Sequence, residues 1–552
     1  MKLNRCIMAG AKLLPALALA AVLTAVPLRA QVFTPQLGEE TEEIPGVDLS
    51  LQRNIVMLTM GHTYDMNPQT ASYTSEAQLL SGLYEGLFSY SPTTLEPQNA
   101  LCSSYKLSRN KKRWTFTIID GAKFSSGEKI TAESFRESWL NLLSTPNAPY
   151  ASLLDCIEGA RNYRQGKGKR DEVGITARDE KTLVVHLEEP AEHLPKILCH
   201  HAFSVVSKKK DSYSGAFALK SYEKGRIELV KNKNYREASS ILIPGITIIQ
   251  SDDLDENAFL YNTGKVDWIP EGNVNAAKII NRNSIKVAGE FGTYYIFFKL
   301  NGKKWNIREI REALLEAIPY DSLREGITVP ATTLVYPLTG YPDVAGFDDY
   351  DSDDAVMMMA KAREKAGIPA KEKITIKFGI MDSEFMKNFV QILQKAWQPL
   401  GVELVSESKA SEQYNGAISS WDADLFAYSW IGDFADPLAF LELFRSDSSL
   451  NVAGYRNAAF DGLLHQASVA DDSSEHYKLL AQAESMLLDD CVIIPVYHPV
   501  SLHIIDTDVI GGWQTNAMDL HPFKYFYIRR KEQTLPNLVA APAEQKERLT
   551  SY

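Results

Sequence analysis

ADLFAYSWIGDFADPLAFLELF (Ala423–Phe444) changes character in its middle. Its first eight residues, Ala423–Trp430, are rich in aromatic and apolar side chains and read as a strand. Gly432 and Pro437 then interrupt the extended pattern, and a Leu/Phe run follows. Asp433 stands between these parts, three residues after Trp430 and beside Phe434. A carboxylate in such surroundings either caps a helix or meets a cation, because a charge left alone among apolar groups is costly. Asp436, directly before Pro437, is the better placed cap. Asp433 therefore asks for a partner.

Working outward, strands and helices alternate on both sides. NIVMLTM, RWTFTII, TLVVHLEE, RIELVKN and ITIIQ read as strands from their β-branched and aromatic content. SEAQLLSGLYEGL, TAESFRESWLNLL and IREIREALLEAI carry apolar residues at helical spacing. The second half repeats the mixture with the strands KITIKFGI, VELVSES and CVIIPVYH. Its helices are EFMKNFVQILQKAWQPL and SEHYKLLAQAESMLLDD. A mixed α/β protein of more than one lobe follows, and 552 residues suffice for two or three cores.

Lys and Arg total 58 against 70 acids, a net charge of −12. That balance argues against nucleic acid or an anionic membrane as the main partner. The first thirty residues are of another kind. MKLNRCIMAGAK is basic, Leu13–Leu28 is apolar, and Arg29-Ala30-Gln31 follows, the pattern of a secretory signal peptide cleaved after Ala30. The apolar run is short for a membrane span and contains Pro15. An exported protein is expected, with 31–53 a loose acidic leader and 529–552 a flexible C-terminal tail. Beyond the signal, Cys102, Cys156, Cys199 and Cys491 remain. Either Cys156 pairs with Cys199, which lies in a neighbouring apolar segment, or the thiols stay free.

Several segments together resemble one family, the solute-binding proteins of peptide ABC transporters of the oligopeptide-binding type. The resemblance begins at MLTMGHTYDMNPQTASYTSEAQLLSGLYEGLF and RWTFTIIDGAKFSSGEKITAESFRESW. It continues through PYASLLDCIEGARNYRQGKG, SGAFALKSYEKGRIELVKNKNY and TYYIFFKLN. It extends over WIGDFADPLAFLELFRSDSSLNVAGYRNAAFDGLL and ends at AESMLLDDCVIIPVYH and LHPFKYFYI. It implies a two-lobed periplasmic-binding-protein fold, type II and cluster C-like, with two crossover strands. Residues 54–87, 203–290 and 501–528 would form the core of the first lobe, 88–202 a subdomain inserted into it, and 291–500 the second lobe. It also implies an extracytoplasmic, periplasmic receptor, monomeric and without cofactor, that captures oligopeptides between its lobes and hands them to an inner-membrane ABC permease.

The resemblance further implies a ligand site. Asp433 would pair with the peptide's α-ammonium group, Trp430, Ile431, Gly432 and Phe434 would border it, and the main chain there would bind the peptide as a strand does. Glu76 would be a first-lobe carboxylate facing the cleft, and Tyr150 an aromatic wall. This chain departs from the pattern where relatives hold the peptide carboxylate with Arg or His: those positions read Phe385, Ile418 and Ala427, and a second cleft tryptophan reads Ser411. A ligand of different length or type is therefore expected.

Other chemistries are weaker. No GxSxG, HExxH or phosphate-cradling glycine loop occurs, so no enzyme is expected. Cys199-His200-His201 is the only local metal-ligand cluster, and neighbouring residues on a regular element point different ways, which makes it a poor chelate. A binding protein for a metal complex or haem, or an exported chaperone on the same fold, stays open as the alternative.

Overall fold

In the computed structural model, residues 47–529 are described, except Ser72, Lys224, Asp433 and Asp471. The expected signal peptide, most of the leader and the C-terminal tail lie outside the described residues, as does Asp433. Three larger sheets organise the chain. A seven-stranded sheet runs in the order Ile285–Gly289, Val500–Ile505, Trp268–Ile269, Ile55–Thr59, Gly245–Gln250, Arg226–Lys231, Phe217–Glu223. A five-stranded sheet runs Val402–Lys409, Ile374–Met381, Leu425–Ile431, Gly292–Phe298, Ile493–Tyr497. A four-stranded sheet, Cys102–Leu107, Arg113–Ile118, Thr182–His186 and Ile175–Ala177, belongs to the segment inserted between Ile55–Thr59 and Phe217–Glu223 of the seven-stranded sheet.

Gly292–Phe298, GTYYIFF, shows why a continuous apolar run can be a strand. Every residue is buried, and successive side chains enter different cores. Tyr295 and Phe297 join an apolar cluster that reaches into the inserted subdomain, whereas Tyr294, Ile296 and Phe298 join one confined to the second lobe. A period of two with both faces covered produces this pattern. The strand Leu425–Ile431 alternates likewise: Phe426 and Trp430 face the first cluster, Leu425 and Ala427 the second.

The chain passes between the seven- and five-stranded sheets twice, at Glu290-Phe291 and again at His498-Pro499. The crossovers lie side by side. Glu290 N–H donates to Pro499 O at 3.0 Å, and the His498 ring lies 3.0 Å from Gly292 O and 3.1 Å from Thr293 Oγ1. Two short adjacent connections between otherwise separate sheets have the geometry of a hinge.

Candidate functional site

Trp430 and Tyr150 mark where the lobes meet. Trp430 is held from the second lobe by its ring N–H, which donates to Ala439 O at 3.0 Å, and by stacking on Tyr428 at 6.2 Å. Tyr150 comes from the inserted subdomain, and its ring centroid lies 6.5 Å from that of Trp430. Behind Tyr150 stand His200 at 4.2 Å and His201 at 6.0 Å.

The histidines correct the expectation for Cys199-His200-His201. Far from pointing apart, the two rings lie 4.0 Å from each other, because the chain enters a one-turn 3-10 helix, His201–Phe203, at that point. Burial pushes both imidazoles down, His201 to about 4, so both are neutral at pH 7. His201 Nε2 is buried and has no hydrogen-bond partner among the described residues. The cluster was visible in the sequence; its convergence on Tyr150 was not. Cys199 turns its thiol to Pro195 O at 3.3 Å, and all four cysteines are free thiols.

Glu76 is buried and serves the local backbone. Its oxygens accept from Asp65 N–H at 2.8 Å and Tyr73 N–H at 3.1 Å and lie 3.1 Å from His62 Nε2. It thereby fastens the start of the helix Thr74–Leu83 to the loop before it.

Gly432 is required by close approach. Its N–H donates to Phe291 O at 2.7 Å, and a Cβ there would stand 2.6 Å from the Phe291 ring. Phe291, beside the hinge, packs on Phe440 at 4.8 Å, and Phe434 is buried in the same cluster. Ile431 is half-buried and pairs with Gly292. The ladder from Leu425–Ile431 to Ile374–Met381 stops at Phe426, whereas the ladder to Gly292–Phe298 continues to Ile431. Ser429–Ile431 therefore has a neighbouring strand on one side only. Asp436 performs the capping role read from the sequence: it accepts from Leu438 N–H at 3.0 Å and lies 3.0 Å from His476 Nε2.

The positions expected to replace the carboxylate-binding groups do not gather. Ala427 faces the core of the second lobe away from the first, and its N–H donates to the Tyr414 hydroxyl at 3.0 Å. Ile418 is buried. Phe385 is 45% exposed and packs on Phe389, Tyr497 and Tyr294 at ring distances of 4.5, 6.0 and 6.1 Å. The side chain of Ser411 lies outside the described residues.

At the hinge, unforeseen from the sequence, acidic groups accumulate. A small cavity is lined by Met57, Ser75, Gln78, Trp268, Glu271, His503 and Asp519 among others. Glu271 stands in a recess, enclosed by protein yet reached by solvent. Burial, with Asp519 adding, pushes its carboxyl up to about 7. Burial and the charges of Asp519 and Glu271 push Glu290 up to about 8.

His503, Asp519 and His521 have the spacing of a metal-ligand set. Their hydrogen bonds describe something else. Trp268 Nε1–H donates to His503 Nδ1 at 3.2 Å, which places the imidazole proton on Nε2, from where it donates to Asp519 Oδ1 at 2.7 Å. That nitrogen is already engaged and lacks the lone pair a metal requires. The set ties the C-terminal return to the first lobe, helped by Gln78, whose amide exchanges bonds of 2.7 and 2.8 Å with the His521 backbone.

Comparison with known proteins agrees with this architecture. The chain is 26% identical over 463 residues to the dipeptide-binding protein DppE of Bacillus subtilis (strain 168), covering 79% of this chain and 84% of that protein. It is 25% identical over 492 residues to the probable deoxycholate-binding periplasmic protein YgiS of Escherichia coli (strain K12), covering 84% of this chain and 91% of YgiS. The structure of Haemophilus influenzae OppA in complex with RPPGFSPFR matches with a TM-score of 0.78 and 21% identity, covering 88% of this chain and all of that one. The sequence profile of the bacterial extracellular solute-binding proteins, family 5 (middle part), matches residues 96–451, more than half of the chain. Two lobes joined by paired crossovers, an inserted subdomain, and a match of that extent together show that the chain belongs to the bacterial extracellular solute-binding proteins of family 5.

Proposed function

We propose that this protein is the extracytoplasmic receptor of a peptide ABC importer, and that it binds peptides between its lobes without altering them. The observation that carries this reading is the one-sided ladder at Ser429–Ile431, next to the facing pair Tyr150 and Trp430. An extended peptide laid there gains main-chain hydrogen bonds that read no side chain, and aromatic walls on both lobes exclude water from it. Asp433 follows Gly432 directly in the chain and is the proposed partner of the ligand's α-ammonium group, a role that rests on its sequence position. His201 Nε2, buried and without a hydrogen-bond partner among the described residues, is a further contact for a ligand atom. Glu76 positions the first-lobe side of the cleft, holding its loop in place while its own oxygens are engaged.

The hinge carboxylates bear on the ligand's charge. An ammonium group brought near the raised carboxyls of Glu271 and Glu290 would favour their ionised form and gain a counter-charge, whereas a carboxylate-bearing ligand, as in the deoxycholate named for YgiS, would raise them further. Release of the ligand to an inner-membrane permease completes the proposed cycle.

Native mass spectrometry of the purified protein, followed by denaturing release, tests the reading. A set of peptides is the expected result. A bile acid, haem or a metal chelate in their place would overturn it. With a released peptide in hand, Asp433→Ala is expected to weaken binding by about 2–5 kcal/mol, the cost of burying an ammonium group without its counter-charge. Unchanged affinity would remove the anchor role.

A further inference from the structure

Next to Tyr150 in the chain, the inserted subdomain and the second lobe touch through a compact polar patch. Ser152 and Ser449 exchange hydrogen bonds: Ser152 N–H donates to Ser449 Oγ at 3.3 Å, Ser449 N–H donates to Ser152 Oγ at 3.2 Å, and the hydroxyls lie 2.9 Å apart. Ser449 Oγ–H can instead donate to Pro149 O at 2.7 Å. Charged groups surround this pair. Arg161 Nη1 lies 3.1 Å from Asp447 Oδ2, Arg164 Nη2 donates to Asp447 O at 2.9 Å, and Arg445 Nη2 lies 3.7 Å from Asp155 Oδ2.

The distribution of charge within the patch is informative. Asp155 is buried, and its main partner is Arg164 of its own subdomain, by a two-pronged contact of 2.9 and 2.5 Å. Arg445 has its main partner in Glu442 of its own lobe, at 2.8 and 2.7 Å. Each half therefore keeps its counter-charge when the lobes separate. Opening breaks the serine pair and the Arg161–Asp447, Arg164–Asp447 and Arg445–Asp155 contacts, and it strands no buried ion. A buried ion whose main partner stood on the other lobe would make opening prohibitive, whereas contacts that supplement a partner on the same lobe are weak, and the half-exposed Arg161–Asp447 pair responds to salt.

We propose that the Ser152–Ser449 pair and the arginine–aspartate contacts around it form a reversible latch, which sets the fraction of closed molecules independently of any contact with ligand. Its contacts are made between protein groups alone, which makes it a second control on affinity, because a ligand that binds the closed form gains from whatever raises the closed fraction.

The test uses the full chain with no peptide, so failure of the peptide reading would leave it intact. Spin labels at Asp171→Cys and Ser474→Cys, exposed positions on the inserted subdomain and the second lobe, report the interlobe distance by double electron–electron resonance. Asp447→Asn with Ser449→Ala is expected to raise the open-to-closed ratio about three- to tenfold, as for a few exposed polar contacts, and 1 M salt is expected to shift the parent chain the same way. The melting temperature controls for folding. Ser152→Cys with Ser449→Cys, oxidised, is expected to hold the short distance at any salt concentration. A distance distribution indifferent to both the double variant and salt, or a cysteine pair that fails to cross-link, would overturn the latch.

Discussion

Tyr150 of the inserted subdomain and Trp430 of the second lobe face each other with ring centroids 6.5 Å apart, joining segments 280 residues apart in the chain. Each ring is fixed from its own side, Trp430 by its bond to Ala439 and Tyr150 by the histidines behind it. This pairing is a direct contact between the two lobes.

Trp430→Ala removes a buried ring from both the apolar cluster and the wall of the site. A loss of about 3–5 kcal/mol in stability is expected from denaturant titration, as for other buried aromatic truncations. Trp430→Phe keeps most of the volume and gives up the bond to Ala439, so it should cost less than half as much. Equal losses for the two variants would show that packing of the ring is not what Trp430 contributes.

Gly432→Ala places a methyl group 2.6 Å from the Phe291 ring. Because Phe291 is wedged against Phe440 beside the hinge, relief requires moving one crossover. The expected cost is about 1–3 kcal/mol, accompanied by an altered interlobe distance in small-angle scattering. A variant with parent stability and parent scattering would show that the ring can step aside.

The raised carboxyls of Glu271 and Glu290 predict a pH dependence. In the unfolded chain both release their protons near the usual carboxylate value of 4.5; in the folded chain they hold them to about 7 and about 8. The folded state thus binds more protons between these limits, so the contribution of these groups to stability falls as pH rises through that window. Thermal unfolding from pH 5 to pH 8.5 should show a shallower decline for Glu271→Gln/Glu290→Gln than for the parent. Parallel curves would dismiss the assignment.

Asp155→Ala leaves Arg164 facing a buried gap where it had a two-pronged partner. A loss of about 2–4 kcal/mol is expected, since removing one member of such a pair exposes the cost of burying the other. Asp155→Asn retains the shape and one acceptor and should recover part of it, as calorimetry would register.

The strand and helix pattern was largely legible because each segment's period matches the layer it enters. KITIKFGI and CVIIPVYH read as strands and supply Ile374–Met381 and Ile493–Tyr497, whereas GTYYIFF, covered on both faces, has no polar alternation to mark it. The helix Ser352–Ala366 escaped notice although its signals are present: Asp351 accepts from Asp353 and Asp354 N–H at 2.9 Å each, and Gly367 ends the helix at a positive φ of 61°. Its apolar stripe is interrupted by exposed Val356 and Met357, which blurs the helical period. Resemblance named Trp430, Tyr150 and Ala427 together, and only three dimensions separate them: the first two rings meet, whereas Ala427 lies in another core. A strand's two faces alternate, and Ala427 turned out to belong to the far one.

By itself the sequence determined most of the elements, their order and the acidic character of the chain, which follow from local period and composition, and its segments carried the resemblance that named the family. What touches between distant segments was decided by tertiary structure alone. The convergence of His200 and His201 on Tyr150, the Trp268 bond that commits His503 to Asp519, the carboxylates gathered at the hinge and the Ser152–Ser449 contact all join residues remote in sequence. Local period specifies which face of an element is buried, but the partner on that face depends on how the sheets are stacked and where the chain crosses between them.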